Sequence, residues 1–198
     1  MADDYFDKLI SKIDLIDDKE LKNLILKLID ERNELADSIK KDSLTGVYNR
    51  RVLDEIDGYR TLVLCDVDNF KTINDSFGHD VGDKVLKIVA NILIGNCREH
   101  DLVCRYGGDE FLLIFKTDDE KAVKARMKKV ANKVTNSVTL PNFTATLSIG
   151  VTSYNALSDL SETIHRADQA LYKAKAFGKN TLACYDCDTK KSNSKVKF

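Results

Sequence analysis

The chain has 198 residues, 43% of them hydrophobic and 32% charged, with a formal net charge of −1. That length suits one core of ordinary size with an extension, and the near-zero charge argues against a broad basic surface for nucleic acid. No apolar run approaches the ~18 residues of a membrane span, and the acidic N-terminus does not read as a signal peptide. Five cysteines, an odd number without framework spacing, suit reduced thiols in a cytoplasmic protein. Cys184 and Cys187 are half a zinc site without a second pair, and read as structural or incidental.

From the start, Phe6, Leu9, Ile10, Ile13 and Ile16 recur at helical spacing. Asp17 followed by Glu20 has the form of a capping box opening a second helix. Leu21, Ile25, Leu28, Arg32, Leu35 and Ile39 then alternate in steps of four and three. That is an a/d seam, interrupted by Arg32, which fits a dimerising helical stalk over residues 1–41. Packing against the rest of the chain would produce the same pattern. Asp42-Ser43-Leu44-Thr45-Gly46-Val47-Tyr48-Asn49-Arg50-Arg51 follows, a Gly-containing connection, with room for a short helix over Val52–Ile56.

Thr61–Cys65 is a continuous apolar run, as in a buried strand, and it ends in Asp66-Val67-Asp68. Alternation places Asp66 and Asp68 on one face, so residue spacing alone nominates both for a metal. Val85, Leu86, Ile88, Val89, Ile92 and Leu93 form a helix face. Leu102–Cys104 and Phe111–Phe115 flank Gly107-Gly108, predicting a hairpin whose two-residue loop uses positive φ at the glycines. Its tip carries Asp109 and Glu110. Two adjacent anions at a bend repel, which suits a site that meets a cation, though a solvated acidic turn has the same letters. A basic helix over Asp118–Val134, a strand over Thr144–Val151, a helix over Ser161–Phe177 capped by Gly178, and a strand over Thr181–Tyr185 complete the pattern. The Lys/Ser-rich residues 187–198 read as a disordered polar tail.

Gly107-Gly108-Asp109-Glu110-Phe111 resembles the signature of the GGDEF family, the diguanylate cyclases. Asp66 to Asp83 (DVDNFKTINDSFGHDVGD) resembles that family's second motif, and residues 42–51 its leading motif, with Val47 where Leu is usual. The resemblance covers roughly Asp42 to Tyr185, within a domain placed at residues 42–186. It implies an α/β (α+β) fold of the ferredoxin-like or polymerase-palm type, a split βαβ domain whose central sheet contains antiparallel pairs. It also implies cyclisation of two GTP into cyclic di-GMP (c-di-GMP) with release of pyrophosphate. Metal ligation would fall to Asp66, the Val67 carbonyl and Glu110, with Asp109 beside them, and Asp109 and Glu110 would serve catalysis with Mg²⁺ (or Mn²⁺). Asn74 and Asp83 match guanine-reading positions; relatives that make mixed products carry Ser at the latter. Phe70, Lys71, Lys175 and Lys179 match phosphate-binding positions.

Two features depart from the family pattern. Lys179 replaces the usual Arg, which keeps charge but loses a bidentate fork, and the segment between Arg51 and Asp66 is short. The product's two-fold symmetry implies a homodimer of half-sites. Arg98-x-x-Asp101 resembles the inhibitory site for c-di-GMP, and it also has the form of a helix-end salt bridge. Two other functions share these motifs: a non-catalytic c-di-GMP receptor, and a palm-type cyclase using ATP alone or with GTP.

Overall fold

A computed structural model describes residues 8, 10–56, 58, 61–153, 159–185 and 196–197. The chain divides into two compact units, Met1–Lys40 and Lys41–Phe198. In the first, a 3-10 turn at Ile13–Leu15 precedes helix α1, Lys19–Ile39. Its N-cap is Asp18, not Asp17: the Asp18 carboxylate accepts from the N–H groups of Glu20 and Leu21 at 2.9 and 3.1 Å. Of two adjacent aspartates, the one whose side chain reaches the second and third helical N–H groups becomes the cap. No residue of α1 is buried, and Leu21, Leu28, Leu35 and Ile39 are exposed. Phe6 and Leu9 of the preceding segment lie outside the described residues.

The second unit is built on a sheet of β1 (Tyr48–Asn49), β2 (Thr61–Val67), β3 (Leu102–Arg105), β4 (Glu110–Phe115), β7 (Leu147–Ser153), β8 (Thr181–Cys184) and β9 (Val196–Lys197), in the order β1-β3-β4-β2-β7-β8-β9. Strands β5 (Thr139–Leu140) and β6 (Phe143–Thr144) form a separate small hairpin. The strand expected over Thr144–Val151 therefore begins at Leu147, because Thr144 is already paired in that hairpin. β2 lies between β4 and β7, antiparallel to both, and every one of its residues is buried. The split βαβ architecture expected from the element order is the one observed.

Helices α2 (Phe70–Phe77), α3 (His79–Ile94), α4 (Glu120–Ser137) and α5 (Leu160–Ala176) cover the sheet. Odd-numbered residues of β2, Val63, Cys65 and Val67, share one core with Val85, Leu86 and Val89 of α3 and Met127 and Val130 of α4. Even-numbered Leu62 and Leu64 share the other with Ala167 and Leu171 of α5. Each fully buried aliphatic side chain contributes about 1.5–3 kcal/mol to this packing. α5 can lie this close because Gly150 of β7 has no Cβ; one there would run into the Ala167 carbonyl and the Leu171 N–H.

Local outcomes differ at several places. The segment after Arg50 forms a 3-10 helix, Arg50–Glu55, in place of an α-helix over Val52–Ile56, since few residues separate it from β2. The Gly107-Gly108 hairpin has a four-residue loop, Tyr106–Asp109, and neither glycine has positive φ. Both the Tyr106 and the Gly107 N–H groups donate to the Glu110 carbonyl, which closes the wider loop without a left-handed residue. Within the predicted tail, Val196–Lys197 pairs antiparallel with β8, whose outer backbone groups are a ready template for an extended segment. Residues 187–195 and 198, including Cys187, lie outside the described residues.

Candidate active site

Asp66 faces Glu110 directly across the β2–β4 pair. Their position on the pleat is that of Leu64 and Leu112, so both carboxylates emerge on the α5 side of the sheet. There Lys175 reaches in from α5, its Nζ 2.7 Å from Asp66 Oδ2. Burial pushes the Asp66 carboxyl up to about 6 despite that bond, with Asp109 and Glu110 adding repulsion. Burial also raises Glu110, against the pull of Lys175. For Lys175, burial works downward but the Asp66 carboxylate prevails, and the ammonium is held above its usual range. Of the four acidic positions nominated from sequence, Asp66 and Glu110 thus face one another beside one cation, with Asp109 near enough to act on both by charge.

The loop carrying Asp109 is fastened on both sides. The Val67 N–H donates to the Asp109 carbonyl at 3.1 Å. Arg105 donates from Nε and Nη2 to the Gly108 carbonyl at 3.1 and 2.7 Å. The same guanidinium meets both oxygens of Asp42 at 3.2 Å, and Asp42 also accepts from the Thr45 N–H and hydroxyl. Burial works against the charge on Asp42, but these donors hold its carboxyl below the ordinary range. The role of Gly107 is space: a Cβ there would stand 2.7 Å from Glu110 Oε2.

The two lysines at the far end meet α2. Lys71 lies exposed in its first turn, next to Phe70, and Lys179 Nζ donates to Asn69 Oδ1 at 2.6 Å. Asn74 of α2 packs against Gly82 of α3, the residue before Asp83, across the turn at Gly78. Gly82 allows this, since its Cβ would overlap Asn74 Oδ1 and sit 3.2 Å from Phe70 Cζ.

Asp68 departs from the spacing argument. The strand ends at Val67, and the Asp68 carboxylate turns inward to Ser148, Thr146 and the Asn180 N–H. It does not join Asp66. Arg98-x-x-Asp101 also differs from a simple internal pair. Asp101 Oδ2 accepts from the Arg98 backbone N–H and from Arg126 Nη1 of α4, both at 2.8 Å, while Arg98 itself is exposed.

Sequence reasoning missed four contributors: Arg105, Arg126, Gly82 and Asp168. Asp168 of α5 raises Glu110 by charge repulsion and lines a cavity of about 230 Å³ with Glu110, Tyr106 and His165. Only the carboxylate in a helix-face position hinted at it. Among the described residues no three Asp, Glu, His or Cys side chains converge closely enough to enclose a metal unaided. A magnesium-like ion bound with a phosphate needs only one or two carboxylates. Asp66 and Glu110, facing one another with raised proton affinities, fit that donor set.

Residues 39–181 match the family model described as Diguanylate cyclase, GGDEF domain. The chain is similar to the uncharacterized protein YtrP of Bacillus subtilis (36% identity, covering 78% of this chain and 28% of that protein). It is also similar to the probable diguanylate cyclase DgcC of Escherichia coli (38% identity, 78% and 45%). The crystal structure of the GGDEF domain of DgcB from Caulobacter crescentus in complex with c-di-GMP superposes with a TM-score of 0.70 at 26% identity, over 74% of this chain and 96% of that one. The chain thus spans less than half the length of these two curated relatives. The matched residues of this chain include Asp66–Asp83 and Gly107–Phe111, and the chain belongs to the GGDEF, diguanylate cyclase domain family.

Proposed function

We propose that this protein is a diguanylate cyclase that joins two GTP molecules into c-di-GMP. The observation that carries the reading is the facing pair Asp66 and Glu110, with Asp109 on the adjoining loop and Lys175 bonded to Asp66. In each half-reaction a 3′-hydroxyl attacks the α-phosphorus of the other GTP. The bond from that phosphorus to the β-phosphate bridging oxygen breaks, and pyrophosphate leaves. Two such steps close the ring.

Asp66, Glu110 and the Val67 carbonyl would hold a divalent ion, Mg²⁺ or Mn²⁺, with Asp109 beside it. That ion would acidify the attacking hydroxyl and neutralise the phosphates. Lys71, Lys175 and Lys179, with the α2 N-terminus at Phe70, provide the remaining positive field for the triphosphate. Asn74 and Asp83 would read guanine: a carboxylate accepts from its N1–H and 2-amino groups, where adenine offers an acceptor instead. One chain supplies one half-site, so the working species is a homodimer, which α1 would assemble. Arg98 and Asp101, with Arg126 bonded to Asp101, would bind the product's phosphates and guanine edges and limit its accumulation.

The test is incubation of the pure protein with GTP and Mg²⁺, or with ATP, followed by mass identification of products. We expect c-di-GMP from GTP alone. Glu110→Ala should abolish it by orders of magnitude with the fold kept, and Arg98→Ala should raise the final product level at an unchanged initial rate. Bound c-di-GMP without turnover would favour the receptor reading, and equal use of ATP would overturn the guanine assignment.

A further inference from the structure

We propose that Asp68 is a positioning residue for triphosphate binding: its buried carboxylate holds the left-handed turn Gly178–Asn180 and thereby sets Lys179 beside Asn69. Asp68 is 2% exposed. Its Oδ1 accepts from Ser148 Oγ at 2.6 Å, and its Oδ2 from Thr146 Oγ1 at 2.6 Å and the Asn180 N–H at 2.9 Å. The Asp68 N–H donates to the Thr146 carbonyl at 2.9 Å. Three donors on a carboxylate this enclosed leave it no open side toward a metal, which separates it from Asp66 two residues earlier.

The turn that Asp68 grips is a strained one. Gly178, Lys179 and Asn180 have φ of 106, 60 and 45°, and Asn69 has 56°. Left-handed backbone at non-glycine residues persists only where the surroundings over-determine it. Asn180 Oδ1 does not supply that restraint, because it is buried without a partner. The bond from the Asn180 N–H to Asp68 does, and it joins the turn after α5 to the end of β2. Lys179 then extends from the fixed turn to Asn69, immediately before Phe70 and Lys71. The placement of a long, flexible side chain is thus set by its backbone, and an ammonium positioned in advance binds a triphosphate with less loss of freedom.

This inference rests on the reading of Lys179 as a triphosphate-binding cation, so the experiment separates the two. Binding of α,β-methylene-GTP with Mg²⁺, measured by calorimetry, needs no turnover; steady-state kinetics with GTP runs beside it. Asp68→Ala should weaken analogue binding and raise KM about tenfold, the weight of a hydrogen bond to a charged group, with kcat within about threefold. Asp68→Asn should restore both, since its amide nitrogen can donate to the Ser148 hydroxyl while its oxygen keeps Thr146 and Asn180. On a Lys179→Ala background, Asp68→Ala should add little, whereas a general loss of structure would add in full. If Asp68→Ala does not fold, Thr146→Val removes a donor from the same oxygen and should weaken analogue binding in the same direction. Unchanged analogue binding in the folded variant, full additivity with Lys179→Ala, or a kcat collapse in Asp68→Asn like that of a lost metal ligand overturns the proposal. A wild type that binds the analogue but makes no c-di-GMP overturns the cyclase reading alone.

Discussion

Asp66 is a carboxylate whose proton affinity burial raises, with a folded-state value of about 6 against an ordinary 3.8. The sign of its effect follows: the folded protein holds this proton more tightly than the unfolded chain, so the group's contribution to stability falls as pH rises from about 4 to 6. Asp66→Asn should therefore raise the melting temperature by a few degrees at pH 8 and lose that gain near pH 4, as measured by thermal unfolding across pH. A divalent ion must compete with the same proton. The Mg²⁺ concentration for half-maximal turnover should accordingly climb as pH drops below about 6, and a requirement flat from pH 5 to 8 would show that Asp66 is not a ligand. That Asp66 and Glu110 lie together was legible from the family resemblance, whereas strand spacing by itself nominated Asp68 equally. The inward turn of Asp68 was not legible, because two-residue alternation stops meaning anything once the strand stops.

Elements were read well where a long apolar period set them, as in β2, α3 and α5, and less well where tertiary pairing decided. The start of β7 depended on a hairpin two residues long, and the form of the Gly107-Gly108 loop on bonds to the Glu110 carbonyl. Gly82 shows the same limit. In the sequence it is a glycine within a helix, ordinarily a weakness, and only the packed pair of helices shows that Asn74 occupies the space a Cβ would take. Gly82→Ala should consequently destabilise the protein by about 1–3 kcal/mol through overpacking, despite alanine's better helix propensity. Because Asn74 must move, the loss should appear in KM for GTP more than in kcat. Denaturant unfolding with steady-state kinetics reads both, and a stabilised variant with unchanged KM would remove Asn74 from the guanine site.

On the scale of the whole molecule, α1 presents Leu21, Leu28, Leu35 and Ile39 to solvent, a cost that a second chain would relieve. Three short heptads with Arg32 in the seam should pair weakly, acting mainly by raising the concentration of one half-site at the other. A chain starting at Lys41 should fold, since its unit is compact, yet cyclise GTP poorly at low concentration and recover when concentrated. Sedimentation with rate against concentration decides this; equal activity of both forms at low concentration would place dimer formation elsewhere. The join at Lys41 has a mechanical meaning as well. The next residue is Asp42, which grips Arg105, and Arg105 grips the Gly108 carbonyl. Only two side chains therefore separate the point where the chain leaves its helix from the loop bearing Asp109. Asp42 and Arg105 thus form a two-residue strut between the start of the second unit and the loop bearing Asp109.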